Sequence, residues 1–333
     1  MTAVVGILNA KGVAIAADSA TTYAEYKRNN SDKEEKLDSC SPIILNNGDK
    51  MLRLVDKKLV SVMIVGNGEF WGIPWDLIIR RYRQKHKEGF QTLRGYAESI
   101  LDFAKELGEE YIEFFSIHTK DIDPSTELIF AGYAKGTDRP SILRVTITGC
   151  YLGRISAEYD REVTVTDERH GYILSYGDTG IIDSLKNGIG QNYTNQVHNL
   201  LDEKMACLLK KVYGKIDANK GDERWENLRK CMDDIGAAKL IEDYDRSVLG
   251  IRKEREDVLW TNSIASYNLT QMASLAENLV YVTELHKKLL TQPETVGGLI
   301  DLAIITREDG FQWLNRKSWY QPSVGGQYGR FGV

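Results

Sequence analysis

This sequence opens directly on a strand–turn–strand pattern, and that pattern restricts the fold more than any other feature. Val4 to Leu8 is apolar and rich in β-branched residues. Asn9-Ala10-Lys11-Gly12 reads as a tight turn, and Val13 to Ala17 reads as a second strand, so a hairpin begins almost at residue 1. Strand-like sequence resumes at Ser41 to Leu45, Met51 to Val55 and Leu59 to Val65, where Gly66-Asn67-Gly68 ends the run. Helical spacing follows over Trp71 to Arg83. It continues over Thr92 to Ile117, where Ile100, Phe103, Ala104, Leu107, Tyr111 and Phe114 share a stripe.

Three short strands are expected next, at Glu127 to Ala131, Ser141 to Thr146 and Cys150 to Ile155. A fourth, Tyr172 to Ser175, leads through Tyr176-Gly177-Asp178 into a helix from about Thr179. Residues 192–262 are helical in pattern, heavily charged and poor in strand signals, which marks a helical insertion. A long helix over Ala265 to Leu290 restores the apolar rhythm. Leu299 to Thr306 is a continuous apolar strand that pairs with Phe311 to Leu314 across Glu308-Asp309-Gly310. The tail, 319–333, alternates glycine with aromatics and reads as extended. Residues 23–40 read as a charged, solvated loop, with a Ser31/Glu34 capping box over one helical turn as the alternative.

The order strands, two helices, strands, two helices, strands suits two sheets with helices outside both. The expected fold is therefore α+β, a four-layer αββα sandwich in one domain over residues 1–333, interrupted by the insertion. A chain of 333 residues is long enough to bury a sizeable core.

Composition excludes several function classes. The net charge is −5 with no basic tract, which argues against nucleic acid as a partner. Cys40, Cys150, Cys207 and Cys231 form no CxxC pair, and the five histidines have no ligand spacing, so reduced thiols and no metal are expected. No signal peptide and no apolar run of membrane-spanning length is present, so a cytoplasmic location without membrane attachment is expected.

Thr2 carries the chemical expectation. Methionine is readily trimmed before a small residue, and Thr2 would then own a free α-amine with a reference pKa of about 7.7–8.0. That amine is a general base for the hydroxyl on the same residue.

The stretches Thr2-Ala3-Val4-Val5-Gly6-Ile7 and Lys11-Gly12-Val13-Ala14-Ile15-Ala16-Ala17-Asp18-Ser19 resemble the start of a mature proteasome β subunit or HslV-type peptidase. These belong to the N-terminal-nucleophile (Ntn) hydrolases. Asp49 to Leu54 resembles the strand that carries the family's lysine, and Met63 to Gly68 its glycine-bearing strand end. Ala131-Gly132-Tyr133, Pro140 to Leu143 and Thr148 to Tyr151 resemble its central meander, and Gly297-Gly298 with the strand after it resembles its closing hairpin. The resemblance covers about residues 1–23, 48–190 and 265–315.

It implies the Ntn-hydrolase fold and a threonine-type amidohydrolase, most simply a peptidase acting on peptides or proteins without a cofactor. In that reading Thr2 is nucleophile and base, Lys50 supplies a positive charge beside it, Asp18 holds Lys50, and the Gly66 N–H faces the developing oxyanion. Near Tyr176-Gly177-Asp178 the family has a serine. Here Ser175 is one position off, with Tyr176 and Asp178 as substitutes. Before the double glycine the family's aspartate and serine are replaced by Pro293-Glu294-Thr295-Val296, where Glu294 or Thr295 is the substitute. The resemblance also implies a homo-oligomer and docking of an ATP-dependent unfoldase. A non-catalytic scaffold subunit and a small-molecule amidase are the alternatives.

Overall fold

A computed structural model describes residues 2–23, 43–45, 48–55, 59–86, 89–115, 126–151, 154–188, 191–218, 221–235, 239, 242–248, 250, 260–290 and 295–317. Met1, the Ser31/Glu34 pair with most of the 23–40 loop, Glu294 and the 319–333 tail lie outside them. The chain divides into two compact units, Met1–Thr179 with Ser263–Val333, and Gly180–Asn262.

The strands are β1 (Ala3–Asn9), β2 (Gly12–Ala17), β3 (Thr21–Tyr23), β4 (Ile43–Leu45), β5 (Met51–Arg53), β6 (Val60–Gly66), β7 (Glu69–Phe70), β8 (Ile73–Pro74), β9 (Thr126–Gly132), β10 (Ser141–Tyr151), β11 (Arg154–Tyr159), β12 (Val163–Thr164), β13 (Gly171–Gly177), β14 (Asp301–Thr306) and β15 (Gly310–Asn315). The helices are α1 (Trp75–Lys85), α2 (Leu93–Phe115), α3 (Gly180–Asn187), α4 (Gln191–Ala218), α5 (Glu223–Ile235), α6 (Asn262–Ser266) and α7 (Leu269–Leu289).

The first unit is mixed α and β, with two large antiparallel sheets. One has the order β13-β1-β2-β14-β15, the other β11-β10-β9-β6-β5. Every residue of β1 and β2 is buried, which explains why both strands read as continuous apolar runs: this sheet is covered on both faces. Val4, Leu8, Val13 and Ile15 from one sheet share a core with Met63, Ile129 and Ile142 from the other. Gly6 keeps that approach close, because a Cβ there would lie 2.6 Å from the Ile142 side chain. The alternate residues Val62, Phe130 and Val145 point the other way, into a second core with Trp75, Ile78 and Tyr82 of α1 and Ile100 of α2. Each such large side chain contributes on the order of 1.5–3 kcal/mol by leaving water. Helix α7 packs on β1, β2 and β14 and buries Met272, Ala273, Ala276 and Val280.

At three boundaries the structure departs from the sequence reading for an identifiable local reason. Helix α1 starts at Trp75 and not at Trp71, because Trp71 (φ 50°) and Gly72 (φ 73°) form the left-handed turn between β7 and β8. Pro74 then occupies the position before the helix, with no side-chain capping bond, and biases Ile73 to extended backbone. The break expected near Thr148 is a register shift between Ile147 and Gly149 inside one long β10, so the next strand begins only at Arg154. The expected helix over 265–290 is two helices. Asn268 ends the first segment and caps α7: its side chain accepts the Gln271 N–H at 2.8 Å, and the Gln271 side chain accepts the Asn268 N–H at 2.9 Å.

The described residues of the second unit are mostly helical, from α3 onward. Within it Trp260 donates its indole N–H to the Lys186 carbonyl at 3.1 Å, and His198 Nδ1 lies 3.0 Å from Asp245. Among the described residues no helix is long and apolar enough to cross a membrane.

Candidate active site

Asp18 follows the last residue of β2 and is almost wholly buried, at 1 % exposure. A buried carboxylate must be compensated. Here Oδ1 accepts the Ala3 N–H at 2.9 Å and the Lys50 ammonium at 2.7 Å, and Oδ2 accepts the N–H groups of Ala20 at 3.2 Å and Gly297 at 3.1 Å. One side chain therefore ties together the N-terminal segment, β2, the approach to β5 and the segment before β14. Lys50 is 7 % exposed and immediately precedes β5, where its carbonyl accepts the Ile64 N–H of β6 at 2.8 Å. Burial pushes its ammonium below the ordinary lysine range. The charge and hydrogen bond of Asp18 oppose that shift, and the nearby Lys317 charge adds to it.

Thr2 is buried and pinned at both ends of its linkage to the fold. Its carbonyl accepts the Asp178 N–H at 2.7 Å, and the next amide, Ala3 N–H, is the one held by Asp18. Gly177 makes the first contact feasible. It sits at φ 77°, and a Cβ there would collide with the Thr2 carbonyl oxygen. The Asp178 carboxylate pairs in turn with the Lys287 ammonium of α7, both side chains being close to nine-tenths buried.

The structure brings Thr2, Asp18 and Lys50 to one corner of the two sheets. Gly66 ends β6 at φ 87° with its surface exposed. The Val65 side chain before it lies 3.2 Å from the Cβ position of Gly177, so this strand end reaches the same corner. Ser175 does not join them. It pairs with Val5 in the β1–β13 ladder, and its neighbours Tyr176 and Val4 face the core between the sheets, so Ser175 belongs to the opposite face. Of the two substitutes named for it, Tyr176 is committed to that core, and burial pushes its phenol well up. Asp178 is the one that touches Thr2. Thr295 presents a buried hydroxyl with no hydrogen-bond partner among the described residues, two positions before the Gly297 amide that reaches Asp18.

Sequence reasoning missed a second buried charge cluster. Lys317, just after β15, reaches Asp301 Oδ2 at 3.0 Å, Ser19 Oγ at 3.3 Å and the Gly48 carbonyl. Asp301 opens a strand that otherwise reads as apolar, and Lys317 reads as one more surface cation, so only the fold pairs them. A cleft of about 630 Å³ lined by Arg53, Tyr133, Lys135, Arg307 and Phe311 lies at the far ends of the strands and contains none of these groups.

No protein-family model matches the chain, and a search of curated proteins finds no match.

Proposed function

We propose that this chain is a threonine-type N-terminal-nucleophile hydrolase of the proteasome β-subunit and HslV kind, cutting amide bonds in peptides or proteins. The observation that carries the reading is the buried Lys50–Asp18 pair, whose acceptor oxygen also holds the Ala3 N–H next to Thr2. The stacking of α7, two sheets and α1 with α2 supports an αββα sandwich as the scaffold.

The chemistry requires that whatever precedes Thr2 be removed. The Thr2 amine then takes the proton of its own Oγ as Oγ attacks the amide carbonyl. The Lys50 charge favours the neutral amine and the ionised hydroxyl. The Gly66 N–H stabilises the oxyanion, a role worth about 2.7–4 kcal/mol in a comparable site. The protonated amine returns its proton to the leaving nitrogen, and water hydrolyses the acyl-enzyme. The same reading carries self-association and an ATP-dependent unfoldase as partner.

Turnover of a panel of peptides and small amides by wild type and by Thr2→Ala tests the proposal. Hydrolysis lost in Thr2→Ala is the expected result; equal turnover by both proteins refutes it. The panel also identifies the substrate class.

A further inference from the structure

We propose that Lys317 is a positioning residue for the Asp18–Lys50 pair, its single ammonium both locking the segments that carry the two partners and acting through its charge on Lys50. This rests on the hydrolase reading of Thr2 given above.

The geometry is specific. An ammonium has three protons and no acceptor. Lys317 Nζ meets three acceptors, the Gly48 carbonyl, Ser19 Oγ at 3.3 Å and Asp301 Oδ2 at 3.0 Å. Ser19 follows Asp18, and Gly48 is two residues before Lys50. The two loops are also joined directly, since the Gly48 N–H donates to the Ser19 carbonyl at 2.9 Å. Lys317 is anchored twice on Asp301, because its own backbone N–H donates to Oδ1 at 3.1 Å. Ser19 is fixed further by the hydrogen bond from its hydroxyl to the Leu299 carbonyl and by its N–H on the Gly297 carbonyl at 3.0 Å.

Burying such a pair costs desolvation that an apolar pair of the same volume avoids. The surrounding strands are built from Ala, Ile and Val, yet Asp301 is 1 % and Lys317 7 % exposed. A stability role alone does not account for the choice of charges. A role in fixing and biasing the neighbouring pair does. Among the described residues, the charges that act on Lys50 are Asp18 and Lys317. Lys317 is paired in turn with Asp301 and lies 3.7 Å from Asp49, which pairs with Arg80 at 2.9 Å, while Asp178, whose N–H holds the Thr2 carbonyl, is paired with Lys287. Lys317 adds to the downward shift of Lys50 that burial begins.

The test compares Lys317→Met, Lys317→Arg and Asp301→Asn in the full chain, with folding checked by circular dichroism. Two readouts are taken, the acid limb of kcat/KM against pH and the titration of Lys50 by NMR of 15N-labelled lysine. Lys317→Met removes a positive charge, so both should move to higher pH. Asp301→Asn removes a negative charge, so both should move to lower pH. Lys317→Arg should hold them in place. In Lys317→Met, kcat should fall by up to about 100-fold with KM little changed, the order expected for a misplacement of about 1 Å.

A purely structural strut predicts losses without these opposed shifts. Shifts that are absent, or of one sign in both charge-removing variants, overturn the inference. Should Lys317→Met fail to fold, Asp301→Asn against Lys317→Arg decides it alone. A wild type without turnover refutes the hydrolase reading instead, and the Lys50 titration then still decides whether Lys317 acts on the pair.

Discussion

Lys50 and the backbone N–H of Ala3 share one oxygen of Asp18, at 2.7 and 2.9 Å. That arrangement couples the charge state of a buried pair to the position of the peptide that follows Thr2. Because Asp18 also accepts two further backbone N–H groups, the two partners are not equivalent. Asp18→Ala leaves the Lys50 ammonium and three backbone donors without their acceptor. Lys50→Met leaves Asp18 with all three backbone donors. Removing one partner of a buried pair costs on the order of 3–5 kcal/mol. We expect Asp18→Ala to reach that range and Lys50→Met to fall below it while abolishing turnover. Urea denaturation of both variants, with activity measured in parallel, checks the order; equal losses of stability would contradict it.

Gly177→Ala should be among the most damaging small substitutions in the protein. A non-glycine residue in the left-handed region costs about 1–3 kcal/mol. The added Cβ would also strike the Thr2 carbonyl oxygen. The expected outcome is a loss of stability above that range, together with a fall in kcat because the Asp178 N–H contact to Thr2 must lengthen. Thermal denaturation and kinetics measure both. Gly68→Ala, where a Cβ meets nothing within 4 Å, serves as the control.

Lys287 is expected to act through Asp178. Lys287→Met removes the ammonium that pairs with the carboxylate of Asp178, the residue whose backbone N–H holds the Thr2 carbonyl. Hydrogen bonds to charged groups contribute about 1.5–3 kcal/mol, and a loss in that range is predicted. Asp178→Asn with Lys287→Met should cost less than the sum of the single changes, since the two side chains form one unit. A double-mutant cycle in denaturant gives the answer.

Tyr133 sets a prediction at alkaline pH. Burial, with the charge of Glu308 as a second cause, pushes its phenol up to about 12, and Arg307 opposes the shift. Between about pH 10 and 12 the unfolded chain releases this proton and the native chain keeps it. The native state then binds more protons, so stability falls as pH rises. Tyr133→Phe should flatten that part of the stability profile and leave the profile below pH 9 unchanged in slope. A variant with the wild-type slope between pH 10 and 12 would remove Tyr133 as the source.

Much of this corner of the fold is legible in the amino-acid sequence. The β1–β2 hairpin follows from two apolar runs around Asn9-Ala10-Lys11-Gly12, and the pairing of β14 with β15 from an apolar run before Glu308-Asp309-Gly310. Asp18 and Lys50, far apart in the chain, were expected to meet and do so. What stayed hidden depends on tertiary pairing. Asp301 and Lys317 look like ordinary strand-edge charges until Ser19 and Gly48 are placed between them. Ser175 shows why an offset of one residue matters: in a strand it moves a side chain to the other face, and in β13 it separates Ser175 from the Thr2 corner. Trp71 fits a helical stripe by spacing, but spacing does not reveal the left-handed turn it occupies.

The central claim is that Thr2 is an unblocked nucleophile beside the Asp18–Lys50 pair. The most direct measurement is the mass of the N-terminal peptide after incubation with a threonine-directed electrophile. The account predicts a peptide that begins at Thr2 and carries one adduct on that residue, with the adduct absent in Lys50→Met. A peptide that retains a residue before Thr2, with Thr2 unlabelled, would contradict it.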